Sequence, residues 1–315
     1  MRTGSSRREF LQAAATSAAG LSLSMLASRS VLARSSAEPL GANVLSGNVI
    51  QITGMGTNAV IVTGGDGGAL MIDSGDADRS SDLLRFVSKY PGVKRVDTLF
   101  NTHWHWDHTG GNERFAKAGA KIVAHENTKL WLGADFYSDW QNKHYLPRPR
   151  EAWPTQTFYV SGKMTHGADD VVYGYLPRAH TDGDVYVFLP RQNVLIAGDL
   201  VSVGSYPILD YTTGGWITGM SDASKALLSV VNDKTIIVPG SGAVQTKADL
   251  QAQSDMLATM KDRLIGLMRK GMGTDDLIAQ PPTQEFNARW GDPKLFLANA
   301  FRGLWGHVRE LGGIV

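Results

Sequence analysis

The chain has 315 residues, 43% hydrophobic and 19% charged, the make-up of a globular protein with a sizeable core, built as one large domain or two small ones. A net charge of +1 supplies no basic excess for nucleic acid, and the body of the chain has no run of about 18 consecutive apolar residues to span a bilayer. Without a single cysteine it can form no disulfide and offer no thiolate to a metal.

At the N-terminus, Ser6-Arg7-Arg8-Glu9-Phe10-Leu11-Gln12 precedes an Ala-, Ser-, Leu- and Met-rich stretch to about Ser28 and a small-residue end at Val31-Leu32-Ala33 or Ser35-Ser36-Ala37. This order of charged, apolar and cleavable regions resembles a twin-arginine export signal, with its end placed near residue 33. Cleavage there leaves 27 basic and 29 acidic residues, net about −2, and no membrane anchor. Such systems export folded proteins, so the expectation is a periplasmic or secreted protein loaded with any metal before export.

Past residue 43, Val49-Ile50-Gln51-Ile52, Ala59-Val60-Ile61-Val62 and Ala69-Leu70-Met71-Ile72 predict a Gly-punctuated antiparallel meander ending at Asp73-Ser74-Gly75. Ser80 to Tyr90 predicts a helix, and Val96 to Phe100 a strand that runs directly into a histidine-rich loop. Gly110 to Ala118 begins the next helix, and Lys121 to Ala124 forms the next strand. Residues 126–157 lose periodicity, gain Trp and Tyr, and read as an inserted loop or lid. Val185 to Leu189 and Val194 to Ala197 form a hairpin around a polar turn and end at Gly198-Asp199. Helices then dominate from about 246 to 315: Asp222 to Val231 precedes them, Thr246 to Lys270 is the longest, and the last follows Asp292-Pro293, where Asp caps and Pro fits the first turn. The last helix carries Leu295, Phe296, Ala298, Phe301, Leu304, Trp305 and Val308, an apolar face wide enough for a dimer contact or for packing on the body. The oligomeric state is not encoded in any of this. Two strand runs, each closed by a helix and the first an antiparallel meander, predict an α/β (α+β) chain folded as a four-layer αββα sandwich.

The chemistry concentrates in Asn101-Thr102-His103-Trp104-His105-Trp106-Asp107-His108-Thr109-Gly110-Gly111-Asn112, where three of the eight histidines and a carboxylate fall within six residues. Neutral imidazoles bind borderline divalent metals, and the carboxylate holds a second cation or orients a bound water.

HxHxDH after a strand, followed by Thr-Gly-Gly-Asn, resembles the metallo-β-lactamase superfamily over residues 43 to about 245, within a domain running to 315. The resemblance implies a first metal site of His103, His105 and His180, the last in Ala179-His180-Thr181-Asp182-Gly183-Asp184. It implies a second site of Asp107, His108 and the bridging Asp199. Asp73 falls where the family often has an Asp beneath the metals, either a partner for a ligand or a simple turn Asp. One departure stands out: the family's Pro-Gly-His-Gly turn is Pro239-Gly240-Ser241-Gly242 here, so Ser241 replaces the last histidine of the second site. His125, His144, His166 and His307 are the only other candidates, and each reads as structural or surface histidine.

The expected activity is hydrolysis of a small ester, lactone or amide, β-lactam-like, by a hydroxide on one or two zinc ions with Asp107 as orienting group or general base. Trp131, Phe136, Tyr137, Trp140, Tyr145 and Trp153, with Tyr206 and Trp216, either wall a substrate pocket or pack the insert onto the sandwich. Two alternatives come with the same resemblance. One is a mononuclear iron persulfide dioxygenase using His103, His180 and Asp199. The other is a non-enzymatic or sulfur-oxidation accessory protein that has kept part of the site.

Overall fold

The computed structural model describes residues 38–307, 309 and 311. The twin-arginine-like segment lies outside them. In chain order the strands are β1 (Gly41–Ser46), β2 (Val49–Thr53), β3 (Ala59–Thr63), β4 (Gly68–Ile72), β5 (Arg95–Phe100), β6 (Lys121–His125), β7 (Phe136–Ser138), β8 (Lys143–Tyr145), β9 (Gln156–Phe158), β10 (Gly162–His166), β11 (Asp169–Tyr175), β12 (Val185–Leu189), β13 (Val194–Gly198) and β14 (Ile236–Pro239). The helices are α1 (Ser80–Ser88), α2 (Trp106–Thr109), α3 (Asn112–Lys117), α4 (Glu126–Leu132), α5 (Ile217–Val230), α6 (Lys247–Arg269), α7 (Thr274–Ala279), α8 (Asn287–Trp290) and α9 (Lys294–Gly306).

One sheet has the order β1-β2-β3-β4-β5-β6-β9 and the other β10-β11-β12-β13-β14. The meander pairs antiparallel through β4, and β4, β5, β6 and β9 then run parallel. Side-chain alternation along each strand sorts the residues into layers. Val60, Val62, Leu70 and Ile72 face Val185, Val187, Val194 and Ile196 of the other sheet. Their neighbours Ile61, Ala69 and Met71 face Leu83, Val87 and Phe115 of α1 and α3. On the far side, Leu195 and Ala197 of β13 meet Ile217, Leu257 and Phe301 of α5, α6 and α9. The αββα sandwich follows from three apolar interfaces, each side chain sealed there contributing about 1.5–3 kcal/mol.

Several boundaries differ from the sequence reading. Residues 126–157 are not a loop: they hold α4, the hairpin β7–β8 and most of β9, which joins the first sheet beside β6. Strands of three residues are too short to show a period, and their apolar contacts are made by aromatic edges. Helix α5 begins at Ile217, five residues before Asp222, because extended Trp216 starts it without a side-chain cap. The capping box of Thr246 and Asp249 opens α6 as its sequence implies. At the last helix Asp292 accepts from the Lys294 backbone N–H at 3.0 Å, while Pro293 takes the cap position itself. The wide apolar face of α9 is used mostly for packing: Phe296, Leu297, Ala300, Phe301 and Leu304 are buried, whereas Leu295 and Trp305 are 44% and 55% exposed.

Leu70 sits in the layer between the sheets with no exposure. Leu70→Ala is expected to cost about 2–5 kcal/mol in denaturant unfolding, because the packed sheets cannot close over the gap.

Candidate metal centre

The centre lies where strand ends of both sheets meet. Asp73 follows β4, the His103 loop follows β5, His180 sits between β11 and β12, Asp199 follows β13, and Gly240 follows β14. Backbone bonds tie these ends together: the Val185 N–H donates to Thr102 O at 2.8 Å, Gly240 N–H to Gly198 O at 2.8 Å, and Asn58 N–H to Gly240 O at 2.7 Å. The histidine loop is closed at its base by Asn101 and Asn112, whose side-chain amides donate to each other at 3.1 and 2.9 Å. Within it Trp104 turns away, fully buried among Phe136, Tyr145 and Trp131, which leaves its neighbours His103 and His105 facing the centre.

His103, His105, His180 and Asp199 each bring one ligand atom into a group whose members all lie within 4.8 Å of one another. The outward ring nitrogens decide what the inward ones offer. His180 Nδ1 donates to Ile208 O at 2.8 Å, and His105 Nε2 donates to Asp210 Oδ2 at 3.0 Å. Thr102 donates its hydroxyl to Asp73 Oδ2 at 2.7 Å, so it accepts from His103 Nδ1 at 3.1 Å. His108 Nδ1 points at Asp73 Oδ2 at 2.9 Å. With each ring neutral, as metal binding requires, all four imidazoles in those tautomers aim a lone pair inward. His105 Nδ1 and His180 Nε2 face each other at 2.9 Å, and the buried Nε2 atoms of His103 and His108 have no hydrogen-bond partner. Converging lone pairs, with Asp199 among them, suit a cation, and three imidazoles with a carboxylate fit a borderline divalent metal.

Asp199 stands as a bridge: its Oδ2 lies 3.4 Å from His180 Nε2 and 3.8 Å from His103 Nε2, and its Oδ1 3.3 Å from His108 Nε2. Burial opposes its ionisation, but His108, His180 and His103 hold it well below the usual carboxylate range. His108 is pushed down by burial, yet Asp199, Asp73 and Asp107 together raise it well above the ordinary imidazole value. His103 goes the other way, lowered well below that value by burial and by His108. The Asp73, Asp107 and Asp199 carboxylates thus draw positive charge to the His108 side of the centre.

The second half is looser. Asp107 is half-exposed, with Oδ2 3.9 Å from His108 Nε2, and it stands outside the tight group. The turn Pro239-Gly240-Ser241-Gly242 passes close by: a Cβ on Gly240 would lie 1.9 Å from Asp199 Oδ1 and 2.9 Å from His108 Cε1, so only glycine fits. Ser241 is exposed at the rim. None of the remaining histidines joins the ligand group. His125 stacks on Tyr175 at 3.9 Å, His144 pairs with Asp135, His166 accepts from the Leu70 N–H, and His307 stacks on Trp216 at 4.0 Å.

The aromatic residues split between both earlier readings. Trp131, Phe136 and Tyr145 pack around Trp104, and Trp140 donates to Asp210 at 2.8 Å. Tyr206 and Trp216 wall no part of the centre; they belong to the helical layer, Tyr206 stacked on Phe296 and Trp216 on His307. Sequence reasoning missed Asp210 altogether. Although burial opposes it, bonds from His105, Thr213 and Trp140 hold this carboxyl below its usual range. It carries no motif, since it reaches His105 from 105 residues away. Asp73, left open between two roles, takes the outward nitrogen of His108 and fixes Thr102 beneath His103.

The family model described as the metallo-beta-lactamase superfamily matches residues 52–240. The type 2 metallo-beta-lactamase of Bacillus cereus is 25% identical over 201 residues, 64% of this chain and 73% of its own. The alpha subunit of 2,4-dinitroanisole O-demethylase from Nocardioides sp. (strain JS1661) is 26% identical over 216 residues, 67% of this chain and 61% of its own. Among solved structures, a metallo-beta-lactamase from Pontibacter korlensis superposes with a TM-score of 0.58 at 22% identity, covering 70% of this chain and 99% of that one.

Asp73→Asn puts an amide where His108 and Thr102 need an acceptor. Metal affinity, measured by competition with a chromogenic chelator, is expected to fall about 10–100-fold.

Proposed function

Because the chain belongs to the metallo-β-lactamase superfamily, we propose that it is a zinc-dependent hydrolase of a small ester, lactone or amide. One observation carries the reading: the inward lone pairs of His103, His105, His108 and His180 converge on the Asp199 carboxylate. We assign His103, His105 and His180 to the first metal and Asp107, His108 and Asp199 to a second position that lacks one ligand at Ser241. A metal held there would lower the pKa of a bound water to about 7 and polarise a carbonyl oxygen.

The protein's own part is to hold and aim. Asp107 is the half-exposed carboxylate at the mouth, placed to orient the attacking water or take its proton. Beside it Trp106 carries Lys143 Nζ over its ring at 4.7 Å and the Arg148 guanidinium at 4.9 Å, giving the mouth an aromatic and cationic edge. The Bacillus relative is named for β-lactams and the Nocardioides relative for 2,4-dinitroanisole. The iron reading with His103, His180 and Asp199 leaves out His105, whose Nδ1 is 2.9 Å from His180 Nε2. The twin-arginine-like segment supports export to the periplasm, where Arg7→Lys with Arg8→Lys is expected to leave the protein inside the cell.

Elemental analysis of the native protein, followed by turnover on a chromogenic β-lactam, a lactone and a phosphodiester, tests the reading. Zinc at between one and two equivalents with hydrolysis of an acyl substrate is expected, whereas stoichiometric iron with oxygen uptake on a persulfide sinks it. Asp107→Ala is expected to abolish turnover while most of the metal stays bound. Ser241→His is expected to move the stoichiometry toward two.

A further inference from the structure

The hairpin β7–β8 has three residues on each strand, too little to stay folded in place on its own ladder. Phe136 and Tyr145 seat its base on Trp104, and its tip is anchored by one polar bond, from Trp140 Nε1 to Asp210 Oδ1 at 2.8 Å. The other oxygen of the same carboxylate takes His105 Nε2 at 3.0 Å and the Thr213 hydroxyl at 2.7 Å. Asp210 is fully buried, and its backbone N–H donates to His180 O at 2.9 Å. The Trp140 ring lies 6.3 Å from that of His105. One buried carboxylate therefore serves the hairpin tip with one oxygen and a centre-facing histidine with the other, and a displacement at either end reaches the other through a single rigid group.

Resting on the reading of His105 as a first-site ligand, we propose that Asp210 and Trp140 are positioning residues that couple docking of the aromatic hairpin to metal binding. A carboxylate bonded to the far nitrogen of a metal-binding histidine fixes its tautomer and ring orientation. Here Trp140 of the hairpin is one of the donors that hold the carboxylate, beside the Thr213 hydroxyl and the Thr212 backbone N–H at 3.2 Å, so the docked hairpin helps to hold His105 in its metal-ready orientation. By reciprocity, metal on His105 holds the hairpin down. Trp131 supplies an internal comparison. It lies in the same insert and donates its indole N–H at 2.8 Å to Asp182, a carboxylate with no bond to a candidate ligand side chain.

The test uses the full-length protein with zinc and with cobalt as probes. Trp140→Phe is expected to lower zinc affinity about 5- to 10-fold in chelator competition, a coupling of ordinary size, and to shift the visible absorption of the cobalt form. Trp131→Phe is expected to change neither. In the unmodified protein, zinc is expected to slow amide hydrogen exchange across residues 136–145, and Trp140→Phe to abolish that protection. Zinc bound equally tightly by Trp140→Phe with an unshifted cobalt spectrum overturns the coupling alone, as does an equal loss in Trp131→Phe. A parent protein that takes up neither metal overturns the assignment of the centre, and the coupling with it.

Discussion

Four imidazole rings point their lone pairs at one another across a few ångströms, and each is kept from turning by an acceptor on its outer side. Ile208 O holds His180, Asp210 holds His105, Thr102 with Asp73 holds His103, and Asp73 holds His108. Without a cation this arrangement is electrostatically costly, because buried lone pairs that accept nothing lose their hydration without compensation. The surrounding fold can be understood as the scaffold that makes this convergence affordable.

The sandwich supplies that scaffold by ending its strands together. Parallel pairing of β4 with β5 and of β13 with β14 brings Asp73, the His103 loop, Asp199 and Gly240 to the same edge. Bonds between the loops of the two sheets then fix the distance across the centre. Steric economy matters as much as chemistry. Gly240 lets the last turn lie directly on Asp199 and His108, and Gly198, at φ 53°, lets β13 pass Thr102 with no side chain between.

The aromatic insert is tied to the same edge. Trp104, flanked by two candidate ligands, is the post around which Phe136, Tyr145 and Trp131 assemble, and its indole reaches Thr213, which also binds Asp210. The packing of the insert and the outer support of His105 thus share residues. An insert of this kind can vary without disturbing the sandwich beneath it.

Local pattern determined much of this protein. The period-two strands of the meander, the hairpin ending at Asp199, the Thr246 cap and the cluster from His103 to His108 were all legible, because each is set by neighbours within a few residues. The resemblance further pointed to His180 and Asp199, which the structure brings beside His103 and His105. Tertiary structure alone decided the rest. The three-residue strands of the insert have no period to read, and α5 starts at Ile217 with no side-chain cap. Asp210 meets His105 and Trp140 only after the two sheets have packed, and Tyr206 and Trp216, similar in kind to the other aromatics, go instead to the helical layer. A ligand's identity can be carried by a short motif, but the groups that orient it arrive from distant strand ends, and their meeting is a property of the packed chain.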